Sequence, residues 1–159
     1  LEKKDTGKWL KVIIVMAGLI SLVLVAVLAP ILGKELIFAH PELKYLFWPS
    51  LIFIWLTAIP VFISLYLFYL ISHEIIKDNP FYIKNVSRLT IVSRLALLEA
   101  AFYLFALIML IILGVFQVSL LLIIIIVMFI ALAMSVITAI LAHLIDKARR
   151  IEIENELTI

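Results

Sequence analysis

The stretch "SLLLIIIIVMFIALAMSVITAILAHL" fills Ser119 to Leu144, 26 residues without an Asp, Glu, Lys or Arg. As a helix it rises about 39 Å at 1.5 Å per residue, more than the roughly 30 Å hydrocarbon core of a bilayer. A helix that is apolar on every face has no water-facing side, so it reads as a membrane span that tilts or protrudes.

Three further stretches have the same character. The first covers about residues 9–30 and is charge-free from Trp9 to Leu28 apart from Lys11, ending near Pro30. The second covers about residues 47–71, with Pro60 inside it expected to bend the axis. The third covers about residues 95–116, carries Glu99, and is separated from the fourth, residues 119–144, by a turn around Gln117. The bulk composition agrees: 67% of residues are hydrophobic, 15% are charged, and the mean hydropathy is +1.30. A water-soluble domain of 159 residues has no interior large enough to hide that much apolar surface. The first stretch has an apolar core too long for a cleavable signal peptide and reads as a retained helix.

The cations set the expected orientation. Eleven of the thirteen lysines and arginines lie in the amino-terminal tail, in the loop 72–94 and in the tail 145–159; Lys34 and Lys44 alone fall in the first loop. By the positive-inside rule both termini and the central loop face the cytoplasm. The sequence therefore predicts an all-α, polytopic four-helix transmembrane bundle in a single domain, N-in and C-in. The outer loop around "LGKELIFAHPELKY" is expected to hold a short interfacial helix near Glu35 to Phe38.

Chemistry is sparse. There is no cysteine, and His40, His73 and His143 are not at metal-ligand spacing, so no metal or cofactor is expected. No nucleophile elbow or phosphate-cradling glycine loop occurs, and the sequence reads as non-enzymatic. Small residues Ala131, Ser135, Ala139 and Ala142 or His143 recur at helical spacing, as packing contacts do. Ser50, Thr57 and Ser64 mark one side of the second span. Glu99 stands out because a carboxylate in a span is costly. Its readings are a pair with His143 or Lys147, a side chain reaching the headgroups, or a transport or proton role.

The segment after Asp78 restarts as a helix, since Pro80 disfavours helical geometry at Asn79. In "NPFYIKNVSRL", Phe81 and Ile83 are expected to cover the base of the bundle while Lys84, Arg88 and Arg94 meet lipid or a partner. Together with the terminal "IENELTI", this segment resembles a family of bacterial membrane proteins known as domain of unknown function 2975. Pro80, Phe81, Asn85, Arg88 and Leu89 match its central motif, and Glu154, Asn155, Glu156, Leu157, Thr158 and Ile159 match its usual ending. The resemblance implies residence in the bacterial cytoplasmic membrane and no established activity. It also implies a gene often adjacent to one for a small helix-turn-helix DNA-binding protein.

The tail "RRIEIENELTI" admits two shapes. As a strand it separates Ile151, Ile153, Leu157 and Ile159 from Glu152, Glu154, Glu156 and Thr158; as a helix it aligns Ile153 with Leu157 and Arg150 with Glu154. The resemblance favours the helix. The expected contact surface for a basic regulator is Asn79, Pro80, Phe81, Asn85 and Arg88 with Arg149, Arg150, Glu152, Glu154, Asn155, Glu156, Leu157, Thr158 and Ile159. An acidic tail is unsuited to direct nucleic-acid binding. The other expected partners are the lipid bilayer and a second copy of the chain. The alternative function is a small transporter, channel or immunity-type membrane protein using Glu99, with His143 as the second intramembrane polar group.

Overall fold

The computed structural model describes residues 3–77, 83–115 and 117–157. These run as α1 (Lys3–Val23), a π-helical turn (Leu24–Leu28), α2 (Ala29–Ala39), a 3-10 turn (Pro41–Leu46), α3 (Phe47–Ile76), α4 (Ile83–Ile112) and α5 (Val118–Leu157). Four stretches are long and apolar enough to cross a bilayer: Gly7–Ala39, Pro41–Ile76, Ile83–Ile112 and Val118–Asn155.

The first span does not stop at Pro30. Within the π turn the Ala29 N–H donates to Leu24 O, five residues back. The next bond of that pattern would come from residue 30 to Val25 O, and proline has no N–H to give. The Trp55 indole Nε1–H of α3 donates to Val25 O instead, at 3.3 Å. A bare carbonyl in hydrocarbon is expensive, and this bond from a neighbouring helix lets the chain stay helical past the proline to Ala39. The separate interfacial helix expected near Glu35 to Phe38 is absorbed into α2, and the outer connection shrinks to His40 and the 3-10 turn.

The central loop is also shorter than residues 72–94. α3 passes through Pro60 and runs on to Ile76, and α4 already begins at Ile83, so Arg88 and Arg94 are helical residues. At the other end α4 stops at Ile112 rather than Phe116. Gly114 adopts φ +70°, its N–H donates to Ile111 O at 3.1 Å, and the Val115 N–H reaches Leu110 O at 3.0 Å. These bonds close the helix with a left-handed residue that favours glycine, and buried Val115 tucks under the turn. The tail forms the favoured helix, with α5 unbroken to Leu157, and the alternative strand is excluded up to that residue.

The spans pack in chain order: α1 on α3, α3 on α4, and α4 most extensively on α5. Among the described residues the α1 backbone approaches neither α4 nor α5, so the bundle is open on that side. The α4–α5 contact is fixed by a reciprocal pair of bonds. Ser93 Oγ donates to Ser135 O and Ser135 Oγ donates to Ser93 O, each at 2.9 Å. The buried stripe of α5 is Ile124, Ala131, Ser135, Thr138 and Ala142, so Thr138 replaces the expected Ala139, which is exposed along with His143. Of the polar side of the second span, Thr57 is buried, Ser64 half-buried and Ser50 exposed. Ile71, Leu89 and Ala142 knit α3, α4 and α5 together at the end richest in Lys and Arg.

Trp55→Phe removes the donor to Val25 O and is expected to cost about 1 kcal/mol of unfolding free energy in a detergent titration. In a Pro30→Ala background residue 30 regains an N–H, and the same substitution is expected to cost markedly less. Equal costs in the two backgrounds would show that the indole does not stand in for the missing proline donor.

Candidate functional site

The ends of α3, α4 and α5 at the basic end of the molecule carry most of the residues singled out in the sequence. Asn79, Pro80, Phe81, Thr158 and Ile159 lie outside the described residues, and for Glu156 and Leu157 only the helical backbone is described. Asn85 and Arg88 do not present themselves to a partner. Asn85 is fully buried, and Arg88 Nη1 donates to Asn85 Oδ1 at 2.9 Å and to Leu70 O of α3 at 3.3 Å. The first turns of α4 are thus strapped to the last turns of α3.

The final turns of α5 form an arm. Asp146 accepts from Arg149 Nη2 at 3.2 Å and from Arg150 Nε at 2.9 Å, one helical turn further on. Beyond them Arg150, Ile151, Glu152, Ile153, Glu154 and Asn155 are all exposed. Isoleucines 49% and 43% exposed at Ile151 and Ile153 would sit beside acidic groups in water, which is the arrangement of a contact surface rather than of a bundle interior.

Register decides the fate of Glu99 and His143. With Ser93 against Ser135 in an antiparallel pair, Glu99 comes level with Phe129 and His143 level with Asn85. The expected partners His143 and Lys147 are therefore about 21 Å and 27 Å away along the helix, and the pairing is corrected. His143 lies at the rim of the bundle, not within its apolar depth. Glu99 is 7% exposed, and its Oε2 finds no hydrogen-bond donor among the described residues. Its neighbourhood is Tyr103, one turn along α4, whose hydroxyl faces Thr57 of α3 and whose ring meets Phe53 edge-on.

A groove that sequence reasoning did not find opens between α4 and α5 at the same basic end. Its walls include Thr90, Arg94, Ala139, His143 and Asp146. Arg94 of α4 and His143 of α5 are nearly 50 residues apart in the chain, and the Ser93 register places them on the two sides of one groove, about 13 Å apart along its length. No cluster of three or more His, Asp or Glu side chains suited to a metal ion occurs among the described residues.

An all-helical chain with four long apolar helices defines a multi-pass membrane protein. Within that class, the model of a family described as protein of unknown function (DUF2975) matches residues 31–159, and the chain belongs to that family. No curated protein and no solved structure matches it.

The Asp146 carboxyl, just beyond the last apolar stretch, is held below the usual carboxylate range chiefly by its hydrogen bond from Arg149 and then by Arg150. A carboxylate with a lowered folded-state pKa stabilises the fold above its unfolded value of about 4, and that contribution is lost as pH falls through the folded value. A spin label at position 153 is expected to keep constant mobility from about pH 7 to 5 and to loosen below about pH 4. Asp146→Asn is expected to show the loosened signal throughout. An arm as rigid in that variant as in the parent would show that the carboxylate does not brace it.

Proposed function

We propose that this chain is a non-enzymatic protein of the bacterial cytoplasmic membrane, with both termini inside the cell. In this reading it binds or tunes a small cytoplasmic helix-turn-helix regulator. The orientation is supported by the concentration of Lys and Arg at one end of the bundle. The observation that carries the reading is the α5 arm. It continues the last span as one helix to Leu157 and leaves Ile151, Glu152, Ile153, Glu154 and Asn155 open to the surroundings. A helix that exposes isoleucines among glutamates is suited to a basic protein that carries its own apolar groove, and DNA-binding proteins are basic.

The contact surface in this reading combines the arm, from Arg149 to Ile159, with Asn79, Pro80 and Phe81 of the connecting segment. Asn85 and Arg88 serve from inside, by holding the start of α4 against α3. Holding the regulator at the membrane keeps it from its operator, and a change in packing among the spans alters the arm. A detergent pull-down from the native host, comparing the full chain with one truncated after Lys147, tests this. A helix-turn-helix protein retained only by the full chain is the expected result; equal retention by both, or none by either, removes the arm as the docking element.

A second reading is favoured by Glu99, whose buried and unpartnered oxygen in the α3–α4 contact marks a place for a proton or cation in a small transporter or channel. Purified protein in liposomes would then show a cation or proton flux that falls at least about tenfold in Glu99→Gln. Flux absent from the parent, or unchanged in the variant, excludes it.

A further inference from the structure

We propose that the groove between α4 and α5 binds the phosphate of an anionic phospholipid of the cytoplasmic leaflet, with Arg94 and His143 as the side chains that hold it. The groove shares with the preceding reading the orientation of the chain and the Asp146, Arg149 and Arg150 cluster at the base of the arm, and it needs no protein partner.

Depth comes first. Counting back from Ile112 at the far end of α4, Arg94 lies about 27 Å along the axis and Val86 about 39 Å. The hydrocarbon core is about 30 Å thick and each headgroup layer adds roughly 5–8 Å. The groove therefore begins at the inner edge of the hydrocarbon and runs outward through the headgroup layer, where lipid phosphates sit.

Charge comes second. Arg94 and His143 line the groove and have no hydrogen-bond or ion-pair partner among the described residues. Both are exposed, so neither needs to leave a structural bond to take a ligand. The one acidic wall residue, Asp146, is already engaged by Arg149 and Arg150 at 3.2 Å and 2.9 Å. Those guanidiniums more than offset it, and the buried Arg149 Nε has no acceptor of its own among the described residues. The mouth of the groove therefore carries a net positive charge facing an anionic leaflet.

Shape comes third. Ala139 and Ala142 leave the floor open, and the same side of α5 continues deeper as Val136, Leu132 and Phe129, all exposed. Side chains lean toward the start of their own helix, so Arg94 reaches outward from α4 and His143 inward from α5. A phosphate held between them would have that acyl-compatible surface beneath it. A soluble phosphate shares the headgroup chemistry but would gain nothing from that surface.

The test uses the full chain purified in non-ionic detergent, titrated with phosphatidylglycerol or phosphatidylcholine and read by native mass spectrometry and by thermal unfolding. Phosphatidylglycerol is expected to bind at least about tenfold more tightly than phosphatidylcholine. Arg94→Gln and His143→Gln should each weaken it by about fivefold, and the two together by about 25-fold. Lys34→Gln with Lys44→Gln, at the opposite end, should leave it unchanged. Ala139→Leu, which fills the floor without touching a charge, should also weaken binding and covers the case in which the charge variants fail to fold. Equal affinity for the two lipids, or a preference that survives the Arg94 and His143 changes or the filled floor, overturns the proposal. Competition by inorganic phosphate at the same concentration as the lipid would reassign the groove to a soluble anion and equally overturn it. None of these outcomes touches the regulator reading, which depends on the arm and is tested by truncation.

Discussion

The reciprocal bonds between Ser93 and Ser135 set more of this structure than any other contact. Each hydroxyl reaches the other helix's backbone carbonyl, so both backbones must approach closely at one level and slide no further. In a membrane an interhelical hydrogen bond contributes on the order of 0.6 kcal/mol, too little to hold a fold together by itself. Its value lies in selecting one register from many that lipid-like side chains would accept equally. That register buries Thr138 and Ala142, exposes Ala139 and His143, and leaves Glu99 without the basic partner that its position in the sequence suggested.

Polar groups at depth are handled in three different ways. Thr57, Ser64 and Thr138 return their hydroxyls to carbonyls one turn back in their own helices. Val25 O, deprived by Pro30, borrows an indole from α3. Glu99 alone among these keeps an oxygen without a donor among the described residues, a local conflict that the packing of α3 and α4 does not resolve.

The number and kind of the helices were legible because an apolar run longer than the bilayer is thick has no other stable form. Their ends were not. Hydropathy marks where hydrocarbon stops, and helices continue past that boundary for as long as backbone bonds can be made. Hence α3 carries on through Ser72, His73 and Glu74, and α5 through Arg149 to Leu157. Passage through Pro30 needs a donor 25 residues later in the chain, at Trp55, and no local window contains it. The site was partly legible: the central motif singled out Asn85 and Arg88 as contact residues for a partner, but spacing could not say that they bond to each other and to α3. The groove had no sequence signal, because Arg94 and His143 come to line one groove only after two helices have chosen their register.

The π turn in the first span has a further effect, on angular phase. At about 100° per residue Gly7 and Gly18 sit about 20° apart around the helix, whereas Gly33 in an unbroken α-helix would come round to about 80° from Gly7. A π turn takes up about one extra residue, which rotates everything beyond it back by about 100° and leaves Gly33 within about 20° of Gly7. All three glycines then face the same neighbour. A Cβ at Gly7 would strike Ile76, one at Gly18 would touch Leu65, and one at Gly33 would press on Phe47 at 3.0 Å. The irregular turn thus acts as a phase corrector, keeping one smooth seam along a helix too long for the glycine spacing to match a regular α-helical repeat.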